Sequence, residues 1–182
     1  LEDSQISLRQ SENALSRHIE NMPFGYIAWD RDFNCTEWNK SSEKIFGYTA
    51  QEAIENNALE LIMAPELRDQ VNSDYASLIK RRGGIHKTTE NTTRDGRTII
   101  CEWSNTPIIG VDGQFYGVAS LVQNVTARKQ LEEKQNLAAS VFSHAREGIF
   151  ITDADGIIID ANGAFVDVTG YRREEVIGYN PR

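Results

Sequence analysis

Cysteine, histidine and long apolar runs are scarce in this chain, and each scarcity removes a class of explanation. The 2 cysteines, Cys35 and Cys101, lie far apart in strand-like stretches with no CxxC spacing, and the 3 histidines do not cluster. Neither a disulfide framework nor a zinc site is therefore expected, and a reducing cytoplasm is the simpler compartment. No run approaches the roughly 18 apolar residues that a membrane span requires, and no signal-peptide pattern opens the sequence. Positive charge is in deficit as well: 19 Lys and Arg face 27 Asp and Glu, a net charge of −8. That balance argues against nucleic acid as a partner, because phosphate binding depends on clustered cations. The one dense basic run, Lys80-Arg81-Arg82 before Gly83-Gly84, reads as the cationic last turn and glycine stop of a helix. Walker loops, nucleophile elbows and HExxH motifs are missing, and the Glu52/Glu55 and Glu132/Glu133 pairs read as solvated helix faces. A non-catalytic stretch is expected.

What the chain does have is a repeat. A shift of 123 residues carries Gly25-Tyr-Ile-Ala-Trp-Asp30-Arg-Asp32 onto Gly148-Ile-Phe-Ile-Thr-Asp153-Ala-Asp155, and Asn39 with Gly47-Tyr48 onto Asn162 with Gly170-Tyr171. Periods of this length signify whole domains in place of solenoid units. The second copy breaks off at Arg182, before the equivalent of the later strands. The expected organisation is an N-terminal amphipathic helix (1–22), a complete domain (23–126), a linker helix (127–140) and the front of a second domain (141–182).

Local patterns assign elements within that frame. Leu1, Leu8, Leu15 and Met22 recur every seven residues, a narrow helical seam that can pack on the domain or on a second chain. Tyr26–Trp29 and Phe33–Trp38 flank the turn-forming Asp30-Arg-Asp32 and read as a hairpin. Ser41–Phe46, Ala50–Asn56, Leu59–Met63 and Pro65–Lys80 read as helices; in the last, Leu67, Val71, Tyr75 and Leu78 share a face. Ile85–Thr93, Thr98–Ile109 and Gln114–Val125 read as strands joined at Asp95-Gly96 and Asp112-Gly113. Asn39 and Asn162 have the chemistry of helix N-caps, and Gly47 and Gly170 that of left-handed helix stops.

This succession, with the Asn39-x7-Gly47-Tyr48 segment and the exit Asn124-Val-Thr126-Ala-Arg128-Lys129, resembles the PAS sensor-domain family. The resemblance implies an α+β fold: a five-stranded antiparallel sheet with helices on one face around a small cavity, flanked by N-terminal and linker helices. In that family the exit motif usually carries Asp where this chain has Asn124, and without the carboxylate the chain lacks a group that could form a salt bridge to the hairpin and so couple sheet to linker. By strand alternation placed on that fold, Ile27 and Trp29, Cys101, Trp103 and Asn105, and Ala119, Leu121 and Gln123 should face inward. Trp29, Cys101, Trp103, Asn105, Gln123 and Tyr75 are thus the expected ligand-contacting residues.

Two tryptophans for stacking, with Asn105 and Gln123 for hydrogen bonds, would suit a flat heteroaromatic such as a flavin; a small metabolite and a core filled by its own side chains stand beside that reading. The photoadduct cysteine of light-sensing relatives is missing. Haem is disfavoured because Pro65–Lys80 holds no histidine, His86 lying just beyond it. The expected work is that of a bacterial sensory module: a small ligand or partner shifts the sheet, and the linker helix passes the change to an output domain in the same chain. The second copy resembles sensor domains ahead of cyclic-di-GMP synthases and phosphodiesterases, so a diguanylate cyclase/phosphodiesterase is the expected output. A sensor histidine kinase is the alternative, as is a ligand-free dimerisation spacer. Homodimerisation through the N-terminal and linker helices is expected.

Overall fold

The computed structural model describes residues 2–56, 58–63 and 84–181. The expected helix Pro65–Lys80, with Tyr75 and the basic run that follows, lies outside them. Two compact units divide at Ala127/Arg128. No described helix is long and apolar enough to cross a membrane.

The first unit opens with α1 (Glu2–Glu20), then β1 (Gly25–Asp30), β2 (Cys35–Trp38), α2 (Lys40–Phe46), α3 (Ala50–Glu55), α4 (Ala58–Ile62), β3 (Ile85–Thr92), β4 (Thr98–Ile109) and β5 (Phe115–Asn124). The strands form one antiparallel sheet in the order β2-β1-β5-β4-β3, the α+β arrangement expected. The turns follow the residues that favour them. Asp30 Oδ1 accepts the backbone N–H groups of Asp32 and Asn34, and Gly96 and Gly113 take the positive φ values, 79° and 75°, that the two tight connections require. Phe33, expected to begin the second strand, sits in the turn at φ 63° instead.

The core gathers on one face of this sheet. Ile27, Trp29, Trp103, Val118 and Val122 pack there with Phe46, Ala53 and Ile62 of the short helices. Burying these large side chains stabilises the unit at about 25 cal/mol for each Å² of apolar surface removed from water.

Helix α5 (Thr126–His144) leads from β5 and carries no buried side chain. The second unit continues with the hairpin β6 (Phe150–Thr152) and β7 (Ile158–Ala161), then α6 (Gly163–Thr169) and α7 (Arg173–Val176). Among the described residues its two strands pair only with one another.

Candidate functional site

Register decides which side chains meet. Directly opposed residues of antiparallel strands share a face, and Trp103 lies opposite Val122 while Asn105 lies opposite Ser120. On β1, Ile27 faces Ser120 and Trp29 faces Val118. The inward residues of β5 are therefore Val118, Ser120 and Val122. Ala119, Leu121 and Gln123 point to the opposite face, against the expectation from alternation. Gln123 is exposed and paired across the sheet with Glu102. The expectation failed because β5 carries small or apolar residues at both parities, and only its pairing with β4 distinguishes them.

The other described candidates do come together. The Trp29 indole N–H donates to Ser120 Oγ at 3.0 Å, and the Ser120 hydroxyl donates to Asn105 Oδ1 at 2.6 Å. This relay ends at the half-buried Asn105, whose amide nitrogen has no partner among the described residues. Trp103 is fixed separately: its indole N–H donates to Asn91 Oδ1 at 3.1 Å, Thr89 Oγ1 donates to the same oxygen, and Asn91 Nδ2 donates to the Ile62 carbonyl. Phe46 stacks on the Trp103 ring at 6.0 Å between centroids. Cys101 is wholly buried beside them, and burial pushes its thiol up to about 12; Cys35 is similarly pushed up to about 11. Both sulfurs therefore remain protonated and poorly nucleophilic at neutral pH.

Asn91 and Ser120 are the polar residues that sequence reasoning missed. Both are buried and both orient a tryptophan. The available signal was that a buried indole N–H requires an acceptor, which makes any Ser or Asn opposite an inward Trp a candidate.

Three consequences follow for cofactors. With Gln123 on the outer face, Asn105 lacks the partner amide that the flavin expectation set beside it, and the Asn91 amide is already engaged by Trp103 and Ile62. Trp103 already has one ring face covered by Phe46. His86 is exposed on the outer face, 2.7 Å from Ser104 Oγ, so it does not enter the interior as a haem ligand.

The sheet is bonded into α5 by its last residues. Asn124 Oδ1 accepts from both the backbone N–H and the hydroxyl of Thr126, at 3.0 and 2.6 Å. Thr126 Oγ1 accepts from Ile100 N–H of β4 at 2.9 Å, and Val125 N–H donates to the Ile100 carbonyl. The amide at position 124 thus supplies an acceptor where the family usually carries a carboxylate, without an ion pair.

A second fastening lies at the other end of the hairpin. Asn39 Oδ1 accepts from Tyr26 N–H, Ser42 N–H and Ser42 Oγ, while its Nδ2 donates to the carbonyls of Ile19 and Phe24. One side chain therefore ties the last turn of α1 to β1 and caps α2. Asn162 repeats this: Oδ1 accepts from Ile149 N–H and Phe165 N–H, and Nδ2 donates to the carbonyls of Phe142 and Glu147. These asparagines, expected as caps alone, also hold the helix that enters each hairpin.

Comparison with known proteins agrees with this geometry. The PAS fold family model matches residues 13–125 and 137–182. The chain is 24% identical over 168 residues to the oxygen sensor protein DosP of Escherichia coli, and 22% identical over 156 residues to the biofilm dispersion protein BdlA of Pseudomonas aeruginosa. Those alignments cover 90% and 86% of this chain but only 20% and 37% of the two relatives. Among solved structures, the PAS domain of a protein from Colwellia psychrerythraea superposes with a TM-score of 0.59 at 20% identity, covering 63% of this chain and 97% of that one. Sheet order, the helices on its inner face and the family match together place the chain in the PAS fold family, the sensory-domain family it shares with those signalling proteins.

Proposed function

We propose that the first unit is the ligand-responsive input of a longer cytoplasmic signalling protein and that α5 carries its response onward. The observation that supports this most directly is the bond from Ile100 N–H to Thr126 Oγ1. Ile100 adjoins Cys101 on the inner face, so a shift of β4 under a bound ligand moves the first turn of α5. The ligand class is set by the Trp29–Ser120–Asn105 relay, which presents an amide donor beside aromatic surface. A small neutral molecule with a hydrogen-bond acceptor matches it; the similarity to a protein named as an oxygen sensor supports the input role and leaves the ligand to this chain's own residues. Such switching requires the ligand to bind one arrangement of the sheet better than the other.

In this reading the second unit is the front of a tandem domain. Phe150-Ile-Thr-Asp153-Ala-Asp155-Gly156, with its resemblance to domains ahead of cyclic-di-GMP enzymes, supports cyclic-di-GMP synthesis or hydrolysis as the output, with a histidine kinase as the alternative. Exposed Ile6 and Leu8 of α1, and Leu131, Leu137 and Val141 of α5, support pairing of two chains along these helices.

Coumarin, which is neutral, flat and carries one carbonyl acceptor, is a suitable probe. It should raise the melting temperature of the chain and slow amide exchange in the first turns of α5. Asn105→Ala should abolish both effects, and Gln123→Ala should leave both intact. Thr126→Val, which leaves the Ile100 N–H unpaired at a cost of about 1–3 kcal/mol, should preserve the melting shift but remove the exchange response in α5. Absence of any shift with coumarin and other neutral carbonyl-bearing heteroaromatics would replace the sensor reading with that of a ligand-free spacer.

A further inference from the structure

A groove between the entering helix and the second hairpin strand occurs in both units, and its rim differs between them. In the first unit Leu15 and Ile19 of α1, Trp38 of β2 and Ile54 of α3 line an open groove of about 430 Å³. Its apolar walls are accessible: Leu15 is 62% and Ile54 47% exposed. Glu12 and Glu37 stand at its rim, both exposed, and neither carboxylate has an ion-pair or hydrogen-bond partner among the described residues. The third rim acid, Glu20, is already engaged, accepting from Lys40 N–H at 3.1 Å.

The second unit has a larger groove of about 590 Å³ at the matching place, where Ala138, Phe142 and Ala161 stand at the positions of Leu15, Ile19 and Trp38. Its counterpart of Glu37 is Asp160, and Asp160 Oδ1 lies 2.8 Å from Arg173 Nε. Arg173 opens α7 just as Ala50 opens α3. The chain thus contains one version of this groove whose rim acid is covered by a guanidinium from the first residue of α7. In the other version that position is Ala50, and the acid is left open above an exposed apolar floor.

We propose that the groove of the first unit docks a basic amphipathic helix from a partner protein. Its apolar side chains rest on Leu15 and Ile54, and an arginine lies on Glu37 as Arg173 lies on Asp160. Helix-in-groove recognition places anchors at i, i+3 or i+4 along one face, and opposite charge at the rim fixes their orientation and speeds encounter. Glu12, on the α1 side, engages a second cation.

The test uses the whole chain and a fluorescently labelled amphipathic helical peptide of leucine and arginine, followed by anisotropy. Saturable binding that weakens with added salt is expected. Glu37→Gln should weaken it about threefold, within the range of an exposed ion pair, and Glu37→Lys by about tenfold or more, since repulsion replaces attraction. Ala50→Arg, which copies the second unit, should weaken it comparably; melting curves check that each variant is folded, and Glu37→Lys changes only an exposed position. Gln123→Ala, on the outer face of the sheet, should bind as the unaltered chain does. Equal binding of a leucine–glutamate peptide, or unchanged affinity in both Glu37→Lys and Ala50→Arg, overturns the proposal. A change in the oligomeric mass of the chain caused by Ala50→Arg also overturns it, because the groove then belongs to a second copy.

Discussion

The two hairpins of this chain have nearly the same local geometry and very different surroundings. Asn39 and Asn162 cap their helices at φ/ψ of −81°/172° and −82°/170°, and Gly47 and Gly170 end them at 82°/4° and 79°/−7°. Each asparagine is almost wholly buried. Yet Ile27 is 0% exposed, while its counterpart Phe150 is 41% exposed. β1 is paired on both edges and packed by α2, with α3 against neighbouring β2, whereas among the described residues β6 pairs with β7 alone. The lesson is that the cap, the left-handed stop and the asparagine fastening are set within about 25 residues of chain, by hydrogen bonds that need no sheet. Burial of β1 comes from elements far along the chain, with β5 paired on its edge and β4 contributing to the same core.

The sharpest way to break that comparison is to remove the two asparagines in turn. Asn39→Ala leaves the N–H groups of Tyr26 and Ser42 and the carbonyls of Ile19 and Phe24 without their side-chain partner inside a packed unit, and should cost about 3–4 kcal/mol in urea unfolding. All 3 tryptophans, Trp29, Trp38 and Trp103, belong to the first unit, so their fluorescence reports its unfolding selectively. Asn162→Ala should leave that fluorescence transition unmoved while speeding amide exchange between Phe142 and Ile149. A fluorescence midpoint shifted equally by both substitutions would show that the units do not unfold separately.

A smaller effect separates the two helix stops. Gly47→Ala and Gly170→Ala each force a Cβ into the left-handed region, at about 1 kcal/mol. At Gly47 the added carbon would also lie 3.3 Å from Arg94 Cβ, whereas at Gly170 no heavy atom lies within 4 Å. Gly47→Ala should therefore be the more damaging of the two in its own unit, measured by local amide exchange at each helix end.

The smallest expected effect is acid sensitivity. The Ala50 N–H holds the Glu43 carboxyl below its ordinary value, the Thr49 N–H does so for Glu52, and the Arg173 guanidinium does so for Asp160. A carboxyl with a lowered folded-state pKa contributes stability above its unfolded value, and that contribution disappears as pH falls through the folded value. Melting should be flat from neutral pH to about 5 and should fall below about 4, the usual carboxylate range. The first unit should respond more steeply, since Asp30, Asp95 and Asp112 are lowered there as well. A rise in stability on acidification would contradict these assignments.

Much of the fold could be read directly from residue pattern. The Asp95-Gly96 and Asp112-Gly113 turns, β4 from Thr98 to Ile109, and the caps at Asn39 and Asn162 lie where local chemistry puts them. The candidate site was legible only in part. Trp29, Cys101, Trp103 and Asn105 face inward, because each strand holding them has one clearly apolar parity. Gln123 does not, since Ala119-Leu121 and Val118-Val122 offer β5 two apolar faces and a one-residue change in register exchanges them. Asn91 lies within an Asn-Thr-Thr sequence that signals no role by itself, because the Trp103 indole that bonds its oxygen is on another strand.

Sequence alone determined what short stretches of chain can enforce: where turns fall, which residues cap, where each helix stops, and that the pattern returns after 123 residues. Those features arise from backbone sterics and hydrogen bonds between near neighbours. Tertiary structure decided which face of β5 meets the core, that Ser120 and Asn91 serve as acceptors for two tryptophans, and that Glu37 is left open while Asp160 is covered. Each of these depends on strands or helices distant in sequence arriving opposite one another, and the partner across a sheet is fixed by pairing register, which local chemistry does not encode.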